Sequence, residues 1–235
     1  METRELKGNG RIVVAKTEIF APHMNEVLAF GFPMAGPGTY KNVMAKVSEE
    51  GLRPTSAQTL SLVNLALQNP NDDFCKDLLA KFHNQYFWSA TENLWGKEDV
   101  IVYDNVDGKM PSDRVALLKR MKDGDKAVRV VPYGFETGSQ SVENFAKNPY
   151  VVAQVGDKDF AGDIVAKVAQ GVSSRQPYVY ALGPQSSDTK RFSALYSYWN
   201  DDRLDLNGDF DDGNYTGYAS PVRIASAESA KPQKK

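Results

Sequence analysis

The residues best equipped for chemistry in this chain are oxygen donors crowded toward its C-terminus. Asp201, Asp202, Asp205, Asp209, Asp211 and Asp212 supply carboxylates, and Asn200, Asn207 and Asn214 supply amides. Asp205, Asn207, Asp209 and Asp211 stand at alternate positions, the spacing at which a loop can wrap several oxygens around a calcium ion. Such a loop turns on a glycine at its sixth position and closes on a bidentate Glu at its twelfth. Here those positions hold Phe210 and Thr216. The calcium match is therefore partial, and no resident cofactor or metal is expected.

Catalytic material is sparse. Cys75 is the sole cysteine, so an intramolecular disulfide is impossible, and His23 and His83 lie far apart in the sequence. There is no nucleophile elbow, no phosphate-binding glycine loop and no paired-histidine metal motif. The chain is not expected to be an enzyme. A formal charge of −2 offers no attraction to nucleic acid. No apolar run approaches the ~20 residues of a membrane span, so no membrane insertion is expected. The first ten residues carry no apolar signal segment, which leaves localisation open and implies another route if the protein is displayed outside the cell.

The acidic array belongs to a segment of unusual make-up. Residues 191–227 contain no Lys, Glu, Gln or Met. Those types account for 44 of 235 residues, so 37 residues drawn at random would hold about seven. A face selected for solubility alone would use Glu and Lys freely. This segment is instead rich in Asp, Asn, Tyr and Gly, the composition of a recognition surface.

The elements that must carry this segment follow from periodicity. Residues 1–10 are expected to be disordered, and Arg11–Phe20 reads as one strand. Prolines and glycines between 21 and 40 predict irregular chain around a short apolar run, Val27–Phe30. Thr55 and Gln58 form a capping-box pair ahead of Leu60, Val63 and Leu67. Pro70 ends that helix, Asn71 caps the next, and Phe74, Leu78, Leu79 and Phe82 share a face. Tyr86–Asn105 predicts two strands with a turn near Gly96. Further helices are expected over 112–122, with Val115, Leu118 and Met121 inward, and over 141–147 and 159–170. Strands are expected at 128–133, 176–182, 192–199 and 218–224, with Pro221 marking an irregularity. Leu204 and Leu206 alternate with Arg203, Asp205 and Asn207, which predicts one inward and one outward face. The sum is α+β, helices packed on a twisted antiparallel sheet without disulfides, as a single domain over 11–227 and a disordered tail at 228–235.

Two stretches carry a family resemblance. Tyr86–Glu92 (YFWSATE) looks like a strand common in bacterial proteins of C-type-lectin fold, and Trp199-Asn200-Asp201 matches a tripeptide of C-type lectins. The tail resembles the variable region of the proteins diversified by retroelements, whose pattern is W-N-D/N-x-x-L-x-L-N-x-x-x-x-D, a polar loop and a closing strand. Trp199, Asn200, Asp201, Leu204, Leu206, Asn207, Asp211 and Asp212 fit it, followed by Gly213–Tyr218 and Pro221–Ile224. The archaeal (nanoarchaeal) branch is the nearest likeness. The resemblance implies a C-type-lectin-like domain with a variable region at about 191–224. In that family a reverse transcriptase copies a template and mutates its adenines. Changing the first two bases of an AAY codon never yields Lys, Glu, Gln, Met or Trp; the first four are the types missing here, and the resemblance implies that Trp199 belongs to the fixed scaffold.

The resemblance implies a ligand-binding display protein with a massively diversified surface, its partner an unknown variable ligand, a protein or cell-surface molecule. The alternative is a calcium-dependent carbohydrate-binding lectin. Core anchors are expected at Phe192, Leu195, Trp199, Leu204, Leu206, Phe210, Val222 and Ile224. The outward, ligand-binding positions are then Tyr196, Tyr198, Asn200, Asp201, Asp202, Arg203, Asp205, Asn207, Asp209, Asp211, Asp212, Asn214, Tyr215, Thr216 and Tyr218.

Overall fold

A computed structural model describes residues 3–13, 18–197, 203–211, 213 and 215–225. Among them the strands form two sheets with helices packed against them. The first sheet starts at the N-terminus. β1 (Thr3–Glu5), β2 (Arg11–Val13), β3 (Glu18–His23) and β4 (Glu26–Gly31) pair antiparallel in succession. Within residues 3–10, β1 is followed by a single 3-10 turn at Lys7–Asn9. The Lys7 amide donates to Asn69 Oδ1 at 2.8 Å and Asn69 Nδ2 donates to the Lys7 carbonyl at 3.1 Å. These bonds, with the β1–β2 ladder, give the segment's backbone the partners it needs.

The single strand expected over Arg11–Phe20 is divided between β2 and β3, and the irregular chain expected over 21–40 holds most of a hairpin and β5 (Ala35–Gly38). Pro22 is tolerated because β2 pairs β3 only as far as Phe20. Its missing N–H lies where that edge has no ladder to complete.

Helix α1 (Tyr40–Glu50) adds to the expected set, burying Tyr40, Val43, Met44 and Val47 at helical spacing. α2 (Ser56–Gln68) has the expected capping box, with Gln58 N donating to Thr55 Oγ1 at 3.2 Å and Thr55 N to Gln58 Oε1 at 2.9 Å. α3 (Asp73–Asn84) is capped by Asp72 rather than Asn71, because the Asp72 carboxylate accepts from the Phe74 and Cys75 amides.

The second sheet is organised on β6 (Tyr86–Trp95), buried at every position after Tyr86. β7 (Asp99–Asp104) pairs with its C-terminal half. α4 (Arg114–Lys122) follows, with Leu118 and Met121 packed inward as expected. Leu117 is fully buried against Leu94, Ile101 and Tyr103, which leaves Val115 80% exposed. Then come β8 (Val128–Pro132), β9 (Gly138–Ser139), α5 (Val142–Lys147), α6 (Pro149–Val155) and α7 (Lys158–Phe160). A π turn at Ala161–Val165 leads into α8 (Ala166–Val172), so the helix runs two residues past the expected end at 170.

β10 (Tyr178–Tyr180), β11 (Thr189–Tyr196), β12 (Asp205–Phe210) and β13 (Gly217–Ala219) complete the second sheet, in the order β5-β13-β6-β11-β12-β10-β9. It is mixed rather than purely antiparallel, since β10–β12 and β13–β6 run parallel. The expected closing strand breaks at Ser220-Pro221, and its second part, β14 (Val222–Ile224), joins β4 of the first sheet. The C-terminal segment therefore staples both sheets. Ile224, at the end of that edge strand, is 65% exposed and not a core anchor, whereas Val222 is buried.

The architecture is α+β, with Cys75 as a buried free thiol and no disulfide. Among the described residues no helix is long and apolar enough to cross a membrane. The tail at 228–235 lies outside the described residues.

Candidate functional site

Asp205, Asn207 and Asp209 of the acidic array sit on β12, and β12 is an interior strand. β11 pairs antiparallel with one edge, placing Tyr196 opposite Asp205 and Ala194 opposite Asn207. β10 pairs parallel with the other, placing Tyr178 opposite Asp205 and Tyr180 opposite Asn207.

One face of β11–β12 meets the main core through Leu195 and Leu206, with Leu204 just ahead of the strand. Beneath it is a closed polar ring of fully buried side chains. Asn93 Nδ2 donates to Ser193 Oγ at 2.8 Å, and Ser193 Oγ donates to Gln154 Oε1 at 2.9 Å. Tyr150 Oη and Gln154 Nε2 both donate to Asn93 Oδ1, at 2.9 and 2.6 Å. A satisfied ring of this kind locks its members in one geometry. It also sets the space at Gly208, where an added Cβ would lie 1.7 Å from Tyr150 Oη. The chain can pass that close only as glycine.

The opposite face rests on aromatic rings. Tyr86 packs against Trp88, Tyr196, Phe210 and Tyr215, with centroid separations between 4.7 and 5.8 Å. Trp88 Nε1 donates to the Gly38 carbonyl at 3.0 Å. Tyr40 stacks on Phe192 at 3.8 Å and donates to the buried Glu92 at 3.1 Å. Phe192, expected as a full core anchor, is half-buried at the rim of this cluster.

The carboxylates of β12 are largely committed within the protein. Arg203 Nε donates to Asp205 Oδ1 at 2.8 Å, its Nη2 donates to Tyr180 Oη at 3.1 Å, and its guanidinium lies 4.1 Å from the Tyr178 ring centroid. Asn207 Oδ1 accepts from the Asp209 amide at 2.9 Å. Burial pushes the Asp209 carboxyl above its ordinary range, against the lowering effects of the Asn207 hydrogen bond and the Arg191 charge. Burial also raises the Tyr196 phenol well above its usual value, with the Asp205 charge adding to the rise. Three of the four alternate oxygen donors expected on a chelating loop, Asp205, Asn207 and Asp209, thus lie on an extended strand. A strand sets its side chains in rows, whereas calcium needs oxygens wrapped around one point.

The expected outward positions sort by burial. Asp211, Tyr215 and Thr216 are exposed, on the connection from β12 to β13. Arg203, Asp209 and Tyr218 are half-buried. Tyr196, Asp205 and Asn207 are buried, with 7%, 0% and 6% exposure, and are corrected from outward to inward. Both edges of β12 are occupied, and its second face is covered by the aromatic cluster and Arg203, so strict alternation fails. Tyr198, Asn200, Asp201, Asp202, Asp212 and Asn214, with the anchor Trp199, lie outside the described residues.

Framework residues outside the tail also build this surface. Tyr178 and Tyr180 pack at 4.3 Å beside Arg203, and Gln85 Oε1 accepts the Thr216 hydroxyl at 3.2 Å. The Tyr-Val-Tyr alternation is legible as two aromatics on one face, with Val179 inward at 1% exposure. Its pairing with β12 is a parallel crossover that no local pattern specifies.

No protein-family model and no curated protein sequence matches the chain. A solved structure concerning the accommodation of massive sequence variation in Nanoarchaeota by the C-type lectin fold is similar to it, with a TM-score of 0.55 and 12% identity. The likeness covers 81% of this chain and 95% of that one. At this identity it shows the fold: the chain has a C-type-lectin fold.

Proposed function

We propose that this is a ligand-binding display protein, not an enzyme, whose C-terminal surface is diversified by retroelement adenine mutagenesis. The observation that carries the reading is the coincidence of two facts. Residues 191–227 lack Lys, Glu, Gln and Met, four types that AAY mutagenesis never reaches. The exposed ones among the described expected contact positions, Asp211, Tyr215 and Thr216, lie between β12 and β13, two strands held inside one sheet. A rigid base lowers the ordering cost of binding, and exposed positions accept exchange with little effect on folding. Tyr215, 48% exposed and edge-on to Tyr86 and Phe210, suits a contact residue of large area and low entropy cost.

The solved structure of similar fold concerns massive sequence variation, which supports the same reading for this chain. The partner is proposed to be a protein or cell-surface molecule that changes with the tail. The calcium-lectin alternative is weakened by the strand geometry of Asp205–Phe210 and the engagement of Asp205 with Arg203.

The test is a library encoding NNY codons at the fifteen expected positions, displayed and sorted first for folding and then for binding to a panel of unrelated proteins. Folded members should retain free variation at 211, 215 and 216, hold 205 and 207 nearly constant, and yield binders to several targets. Loss of folding on exchange at the exposed positions, or no binders from a folded library, contradicts the reading.

A further inference from the structure

One side chain of the tail is already held the way a ligand would be. The Arg203 guanidinium lies against the Tyr178 ring at 4.1 Å, donates to the Tyr180 hydroxyl at 3.1 Å, and donates to Asp205 at 2.8 Å. Asp205 is fully buried, while the Arg203 side chain retains 17% exposure, so the arginine is the solvent-accessible member of the pair. Aromatic face, hydroxyl acceptor and buried carboxylate together are the complement of a planar guanidinium. Tyr178 and Tyr180 precede the compositionally restricted segment, whereas Arg203 lies within it.

We propose that Tyr178, Tyr180 and Asp205 form a guanidinium pocket that Arg203 fills from within, and that a small residue at 203 opens it to an arginine side chain of a bound protein. Removing Arg203 leaves the buried Asp205 carboxylate without its guanidinium, and an arriving arginine restores the charge pair. Gly and Ser belong to the residue types present in the tail, so diversification at 203 would switch the pocket between self-filled and ligand-ready. This switch rests on the proposed diversification; the pocket itself does not.

The experiment is chemical rescue of R203A, with ethylguanidinium as the probe. R203A should lose roughly 10 °C in Tm, because the buried carboxylate has lost its ion pair with Arg203. Ethylguanidinium at about 100 mM should recover roughly 4 °C of this loss by mass action. The native protein and R203A/D205N should gain nothing. Ethylammonium, a point charge without the planar fork, should recover less than half as much. If R203A does not fold alone, refolding yield with and without ethylguanidinium becomes the readout, with the same controls. No rescue, equal rescue by both cations, or equal rescue of R203A/D205N overturns the pocket. Any of those results leaves the library test of the diversified surface standing.

Discussion

The indole nitrogen of Trp95 donates to the carbonyl of Gly208 at 3.0 Å, joining the hub strand of the framework to the centre of the tail. The same backbone position passes against Tyr150 so closely that no side chain fits. The tail is therefore fastened to the framework at a position where the space is that of a glycine.

Gly208→Ala should be among the most damaging single changes in the tail. The new Cβ must displace Tyr150, which belongs to the polar ring with Asn93, Gln154 and Ser193. Overpacking of this kind costs about 1–3 kcal/mol or more, and a broken buried hydrogen bond adds to it. Urea unfolding of the variant checks this. A loss below about 0.5 kcal/mol would mean the ring relaxes freely.

Exposed and buried tail positions should separate in the same assay. Asp211→Asn and Thr216→Asn should each change stability by less than about 0.5 kcal/mol. Asn207→Ala, by contrast, removes a buried acceptor from the Asp209 amide and should cost roughly 1–3 kcal/mol. Equal losses at the three positions would erase the distinction between surface and base.

Asp209 supplies a pH test with a definite sign. Burial holds its carboxyl above the ordinary range in the folded state. A raised carboxyl contributes stability that is fully present below the unfolded value, about 3.9, and is lost as pH rises through the folded one. Asp209→Asn should therefore be more stable than the native protein at pH 7, with the difference closing toward pH 3. Denaturant curves at the two pH values decide it, and a less stable variant at pH 7 refutes the sign.

His23 gives the opposite slope away from the tail. It is buried, bonded through Nδ1 to Ser61 Oγ at 2.9 Å and edge-on to Phe160 at 5.4 Å. Burial lowers its pKa from 6.5 to about 4. Its contribution is fully present above pH 6.5 and is lost as pH falls through about 4, on the order of 3 kcal/mol. His23→Gln should flatten the stability profile across that window, measured by thermal unfolding at matched ionic strength. An unchanged slope would place the acid sensitivity elsewhere.

These sites show what could be read from residues alone and what could not. Signals spanning a few residues were legible: the Thr55–Gln58 capping box, the strand pair on either side of Gly96, and the break at Pro221. The candidate surface was legible as composition, because missing residue types leave a mark without any knowledge of the fold. Its division into exposed and buried positions was not. Leu204 and Leu206 alternate with polar residues as they would on a half-exposed strand, yet β12 is enclosed by β11 and the parallel β10. That enclosure depends on pairings far apart in sequence, and it is why Tyr196, Asp205 and Asn207 turn inward. Val115 is exposed rather than inward for a related reason. A helix of nine residues with several apolar side chains has more than one plausible inner face, and tertiary packing chose the one centred on Leu117.

The most direct test of the central claim is to sequence the DNA flanking the gene in its complete genome. The account predicts a near-copy of the codons for residues 191–224 close by, differing from them chiefly where the copy carries adenine, together with a reverse transcriptase gene. Differences should concentrate at codons for exposed positions such as Asp211, Tyr215 and Thr216 and spare Gly208. A complete genome with no such copy, or a copy whose differences fall without regard to adenine, contradicts the claim.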